Sequence, residues 1–151
     1  MTNWLLDTNV LSELRRPKPD RNVLAFVAAQ PLDCLFVSTV TLAEIRYGIE
    51  LQPDASLRAN LIDWLTHKIR PMFEQRVLSV SEDIILKWRL LVEDGRKAGH
   101  TFSQPDLFIA ATALQHGLTL VSRDIIQYKK AGATFFNPWV DSSAGNHAQD
   151  S

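Results

Sequence analysis

Five apolar runs of three or four residues set the frame for this chain: Trp4–Leu6, Leu35–Val37, Val77–Val80, Leu118–Val121 and Thr134–Phe136. Each is too short for a helix and suits a strand buried on both faces. The segments between them carry helical period. Val10, Leu11 and Leu14 follow the cap-type residues Asp7, Thr8 and Asn9, predicting a short helix to about Arg16, where Pro17 and Pro19 stop it. Further helices are predicted over 23–29, 41–51 with Leu42, Ile45 and Ile49 on one face, 55–73 with the stripe Leu57, Leu61, Trp64, Leu65 and Ile69, 82–98 with Ile85, Trp88, Leu91 and Val92 inward, 106–116, and 125–130. Strands alternating with helices predict an α/β fold, a central parallel sheet of about five strands flanked by helices on both faces. In such sheets ligands bind at the carboxyl ends of the strands, near a reversal in strand order.

A length of 151 residues suits one domain, read as 1–140, with a small, polar stretch at 141–151 read as a disordered tail. No apolar run approaches the roughly 18 residues of a membrane span. The chain opens without a basic leader, so the expected location is the cytoplasm, with no membrane contact. The single cysteine, Cys34, reads as a packing residue beside Leu35 and Phe36. The net charge of −1 argues against holding nucleic acid by bulk electrostatics, though not against an enzyme with a basic rim around an acidic pocket.

Four acids stand where a parallel sheet concentrates its chemistry. Asp7 follows the first strand, Glu44 falls in the first turn of the helix after the second, Asp106 in the first turn of the helix before the fourth, and Asp124 just past that strand. Each also has a purely structural reading: Asp7 as a helix cap, Thr41 with Glu44 as a capping box, Ser103 with Asp106 at similar spacing, Asp124 as a cap or turn residue. Convergence separates the two readings. A cap needs one oxygen for one amide, whereas four gathered carboxylates call for a counter-charge, and a hard divalent ion, Mg2+ or Mn2+, is the simplest. Such a site suits hydrolysis of a phosphodiester. Of the four histidines, His67 and His116 read as ordinary helix residues and His147 as tail, while His100 is kept as a weak candidate for a substrate contact. Arg15, Arg16, Lys18 and Arg21 form a basic cluster, either a solvated loop or a phosphate-contacting rim, and Arg46 either contacts substrate or pairs with a site acid.

These segments are familiar together. The stretch 5–14 (LLDTNVLSEL) resembles the opening of PIN-domain VapC toxins, 40–49 (VTLAEIRYGI) their second motif, 105–113 (PDLFIAATA) the third, 117–124 (GLTLVSRD) the fourth, and Asn137-Pro138-Trp139 the close of the FitB-like branch. The resemblance runs from Trp4 to Trp139. It implies a PIN fold and a Mg2+- or Mn2+-dependent endoribonuclease, the toxin of a type II toxin–antitoxin pair, with Asp7, Glu44, Asp106 and Asp124 as catalytic and metal-binding residues. It also implies supporting roles for Thr8, Asn9 and Ser122, with helix capping and acid positioning both open for Asn9. Many relatives have Asn at the Asp124 position and an acid a few residues later, before an aromatic. Here that place holds Gln127, before Tyr128, so Asp124 is the candidate fourth acid. The resemblance further implies a VapB-like antitoxin that inserts an Arg into the acidic pocket, operator DNA reached only through that antitoxin, and a homodimer within a larger assembly. The helices between Ala55 and Ala98 are the expected docking surface, with Trp64 and Trp88 read as core. Two rivals remain at this point: an aspartate-nucleophile phosphatase, suggested by Asp7-Thr8-Asn9 after a strand, and a non-catalytic protein-binding module whose acids are caps.

Overall fold

The computed structural model describes residues 1–102 and 104–141. Its centre is a five-stranded parallel sheet in the order β3-β2-β1-β4-β5, built from β1 (Trp4–Leu6), β2 (Leu35–Ser38), β3 (Val77–Leu78), β4 (Thr119–Val121) and β5 (Phe135–Phe136). The chain builds outward from β1 through β2 to β3, then returns to lay β4 on the other side of β1. The reversal in strand order therefore falls between β1 and β4, and their carboxyl ends flank the crevice where such sheets bind ligands.

The pleat sends alternate residues to opposite faces. Trp4 and Leu6 join a core with α1 (Thr8–Arg15), α2 (Arg21–Ala29), α3 (Thr39–Glu50) and the π-helical turn Leu65–Ile69 that follows α4 (Ala55–Trp64). In it the Trp4 ring meets Phe26 edge-on at 5.0 Å, and Phe26 stacks on Phe136 at 4.9 Å. Leu5 faces the second core, made with α6 (Glu82–Lys97), α7 (Gln104–His116) and α8 (Ile125–Lys130). The α/β architecture expected from the sequence is the one observed. Cys34 is buried as a packing residue. No helix among the described residues is long and apolar enough to cross a membrane.

Three local expectations are corrected. The helix after β2 begins at Thr39, not Thr41, because Ser38 is its cap: the Ser38 hydroxyl accepts the Val40 N–H at 3.0 Å. Thr41 and Glu44 are therefore not a capping box. The Thr41 hydroxyl is buried without a partner, and Glu44 lies in the second turn. The predicted helix 55–73 is interrupted. Pro71 has no N–H and its ring crowds the preceding turn, so α4 loosens into the π turn before α5 (Arg70–Met72). On α6 the inward residues are Ile84, Leu91 and Gly95, with Trp88 half-buried, while Ile85 and Val92 face out. A side chain at 95 would meet the Phe102 ring at 2.6 Å, which explains the glycine on that buried face.

The cap assignment is testable. Ser38→Ala should cost about 1 kcal/mol in urea denaturation, the usual worth of a serine cap. Glu44→Gln should leave stability unchanged or raise it. The opposite ranking would restore the capping box.

Candidate active site

The site grows from the end of the central strand. The Asp7 backbone N–H extends the ladder to Val121 O at 3.0 Å, and Asp7 then heads α1. Its carboxylate is 4% exposed and receives three donors. Oδ1 accepts the Thr8 N–H at 2.8 Å, while Oδ2 accepts the hydroxyls of Ser122 and Tyr128, each at 2.8 Å. The capping reading of Asp7 thus holds for one oxygen and leaves the other unexplained. Ser122, fully buried after β4, is itself saturated: its hydroxyl donates to Asp7 and accepts from Asn9 Nδ2 at 3.1 Å and from the Asp124 N–H at 3.0 Å. Asn9 Oδ1 accepts the Arg123 N–H at 3.4 Å, so Asn9 stitches α1 to the loop after β4.

The other three acids reach the same place from different elements. Asp106 lies in the first turn of α7, with its Oδ1 3.4 Å from the Tyr128 hydroxyl. Glu44 points in from α3. Asp124 precedes α8, but its side chain makes no capping bond. All four line one cavity of about 680 Å³. Burial pushes the Asp7 carboxyl above its usual range against the pull of its three donors, and the Asp106 charge adds to the rise. Glu44 is raised by burial and by Asp106 and Asp7, and Asp124 by burial and Asp106. Tyr128 is pushed well above the ordinary phenol range by burial and by the charges of Asp7 and Asp106, so it stays a neutral donor.

The donor set fits a hydrated hard ion. Among the described residues no group of three or more Asp, Glu, His or Cys side chains is gathered tightly enough to cage a metal. Mg2+ does not require such a cage, since it keeps several waters and is held by one or two carboxylates. The buried Thr8 hydroxyl, which lines the cavity without a partner, is an oxygen that such a water would satisfy.

A basic rim surrounds the acids. Arg15 and Arg16 line the cavity, whereas Lys18 and Arg21 do not. Arg16 is tied to Glu13 at 3.2 Å. Arg123 also lines the cavity, its guanidinium 4.3 Å above the Trp139 ring. Arg46 is exposed on α3 and is not brought to the cavity wall. His100 lines a separate cavity beside Trp88 and Phe102, apart from the acids. His147 and the tail beyond Asp141 lie outside the described residues, as does Ser103. Sequence reasoning missed Tyr128 and Arg123 as site residues. Arg123 lies in the motif 117–124, beside Asp124, which is the signal that could have marked it, whereas nothing next to Tyr128 in sequence marks its hydroxyl.

This arrangement has known relatives. The PIN domain family profile matches residues 4–133. The chain is 41% identical to the plasmid stability protein StbB of Pseudomonas syringae pv. tomato over 89% of its length and 97% of that protein. It is 36% identical to the VapC ribonuclease Y4jK of Sinorhizobium fredii over 89% of its length and 96% of that protein. It is 35% identical to the toxin FitB of Neisseria gonorrhoeae over 91% of its length and 99% of that protein. Among solved structures, FitAB bound to the IR36 DNA fragment superposes with a TM-score of 0.87 at 32% identity, covering 93% of this chain and 99% of that one. With its fold, its acidic crevice and these relatives in agreement, the chain belongs to the PIN-domain family and groups within it with the VapC and FitB proteins.

Proposed function

We propose that this protein is the toxin of a toxin–antitoxin pair and acts as a metal-dependent endoribonuclease. The observation that carries this reading is the convergence, at the strand-order reversal, of four carboxylates from four separate elements on one cavity. Asp7 and Asp106 would hold Mg2+ or Mn2+, with Glu44 and Asp124 completing the acidic ring. When bound, the ion lowers the pKa of a water and offsets charge as a phosphodiester is displaced in line. Hydrolysis joins the water oxygen to phosphorus, breaks a P–O bond to the neighbouring ribose, and returns a proton to the leaving oxygen. Glu44, its proton affinity raised by burial and by the charges of Asp106 and Asp7, is suited to take the proton from water. Arg15, Arg16 and Arg123 stand where phosphates of an RNA strand would enter.

The rivals fit less well. A phosphatase nucleophile works as an exposed, ionised carboxylate, whereas Asp7 is buried, bonded to three donors and carries a raised pKa. A module whose acids are caps does not account for Glu44, which sits away from the helix start, or for Asp124, which caps nothing with its side chain.

The partner in this reading is a VapB-like antitoxin. A guanidinium from it would satisfy paired carboxylates in the pocket bidentately and take the ion's place. Operator DNA is reached through that antitoxin, and both proteins act in the cytoplasm. Exposed apolar side chains on α4 and α6, including Ile62, Leu86 and Leu90, offer the surface for a homodimer or for the antitoxin.

Two outcomes follow. Asp106→Asn should keep the wild-type thermal melt while losing RNA cleavage by about 100-fold or more, in line with removal of a catalytic ligand. An active variant would dismiss the acidic-site reading. The second concerns pH. Asp7, Glu44 and Asp124 bind protons more tightly folded than unfolded, so their contribution to stability falls as pH rises above their ordinary values of 3.8 and 4.5. Between wild type and Glu44→Gln, both metal-free, the variant should gain in melting temperature as pH climbs through that window. A difference independent of pH would remove Glu44 from the repelling group.

A further inference from the structure

Tyr128 belongs to none of the acidic motifs, yet its hydroxyl reaches two of the acids, Asp7 and Asp106. It is fully buried on α8, packed within the core that α6 and α7 share with Leu5. A phenylalanine would fill the same space, so its hydroxyl has to be explained by what it touches. It donates to Asp7 Oδ2, the oxygen that also receives Ser122. A carboxylate oxygen has two in-plane acceptor directions, about four for the whole group. Two hydroxyls at 2.8 Å fill both directions of Oδ2. Oδ1 gives one direction to the Thr8 N–H and keeps one.

We infer that Tyr128, with Ser122, is a positioning residue that sets metal choice: it limits Asp7 to ligation through a single oxygen and thereby favours Mg2+ over Ca2+. The inference rests on the reading that Asp7 holds the ion. Its physical basis is the difference between the two ions. Ca2+ takes six to eight oxygens and accepts carboxylates through one oxygen or both, whereas Mg2+ takes six in an octahedron and keeps waters. An Asp7 closed on one side loses the two-oxygen mode open to Ca2+ and keeps the single-oxygen mode, which favours the second ion. The absence of a tight cage of three acids among the described residues points the same way, because it leaves coordination positions to water.

The test is calorimetric titration of the metal-free protein with MgCl2 and, separately, CaCl2, on wild type, Tyr128→Phe and Ser122→Ala. Each substitution removes one donor from Oδ2 by a different route, and Ser122→Ala decides the matter if Tyr128→Phe does not fold. Wild type should favour Mg2+. In the variants the ratio of Ca2+ to Mg2+ affinity should rise by about tenfold or more, the scale on which partners of metal ligands act. A parallel loss for both ions, with the ratio held, would mean that the hydroxyls merely stiffen Asp7 and would overturn the inference while leaving the metal site intact. Wild-type protein that binds neither ion would overturn the inference together with the metal-site reading beneath it.

Discussion

A carboxylate buried at the end of the central strand is the demand around which the molecule is arranged. An ionised group at that depth is costly unless donors surround it. Asp7 obtains them from three parts of the chain: the first turn of α1, the end of β4 and the middle of α8. Those partners are 1, 115 and 121 residues away in sequence. Satisfying one side chain therefore fixes how β1, β4 and α8 meet, and it places the loop carrying Arg123 and Asp124 beside the crevice. Ser122 extends the constraint to Asn9, so the hydrogen bonds that hold Asp7 also hold the rim.

Glu13 shows what a structural acid looks like in the same cavity wall. It too is 4% exposed, but the Asp20 backbone N–H and the Arg16 guanidinium hold its carboxyl below the usual range. Burial moves the Asp7 carboxyl the other way, because its donors are all neutral and its charged neighbour Asp106 adds to the rise. Glu13 anchors the turn between α1 and α2 and gains from being charged. Asp7, Glu44 and Asp124 are held in proximity at a cost to the folded state, which is the arrangement that a cationic occupant relieves.

The sheet and all four acids were legible in the sequence because they depend on local signals: short apolar runs, helical stripes, and acids beside strand ends. What escaped depends on choices between equivalent local signals or on contacts across the chain. Ser38, Thr39 and Thr41 are all residues that can cap, and only the length of β2 selects the first. On α6, Ile84 with Leu91 and Ile85 with Val92 are pairs seven residues apart, so periodicity alone does not say which pair turns inward. The role of Tyr128 is a contact with a residue 121 positions away, and nothing near it distinguishes a site hydroxyl from a core aromatic. Arg46 had the opposite fate. Its nearness to Glu44 in sequence suggested a pairing, but a separation of two residues on a helix sends the side chains to different faces.

The openness of the crevice bears on how activity would be controlled. A tight cage of acids would bind an ion whether or not substrate was present, and would leave a partner no access to the carboxylates. Here the acids are spread around a cavity of about 680 Å³ under an arginine rim. Burial, with their mutual repulsion added to it, raises three of their pKa values. Two kinds of cation can relieve that repulsion: a hydrated ion, which leaves room for a phosphate, or a guanidinium, whose planar fork uses the carboxylate oxygens itself. The two occupants exclude each other because they draw on the same oxygens. On the proposed reading, the electrostatic strain that prepares the site for catalysis is therefore also the free energy available to an inhibitory partner, and one arrangement of acids accounts for both states.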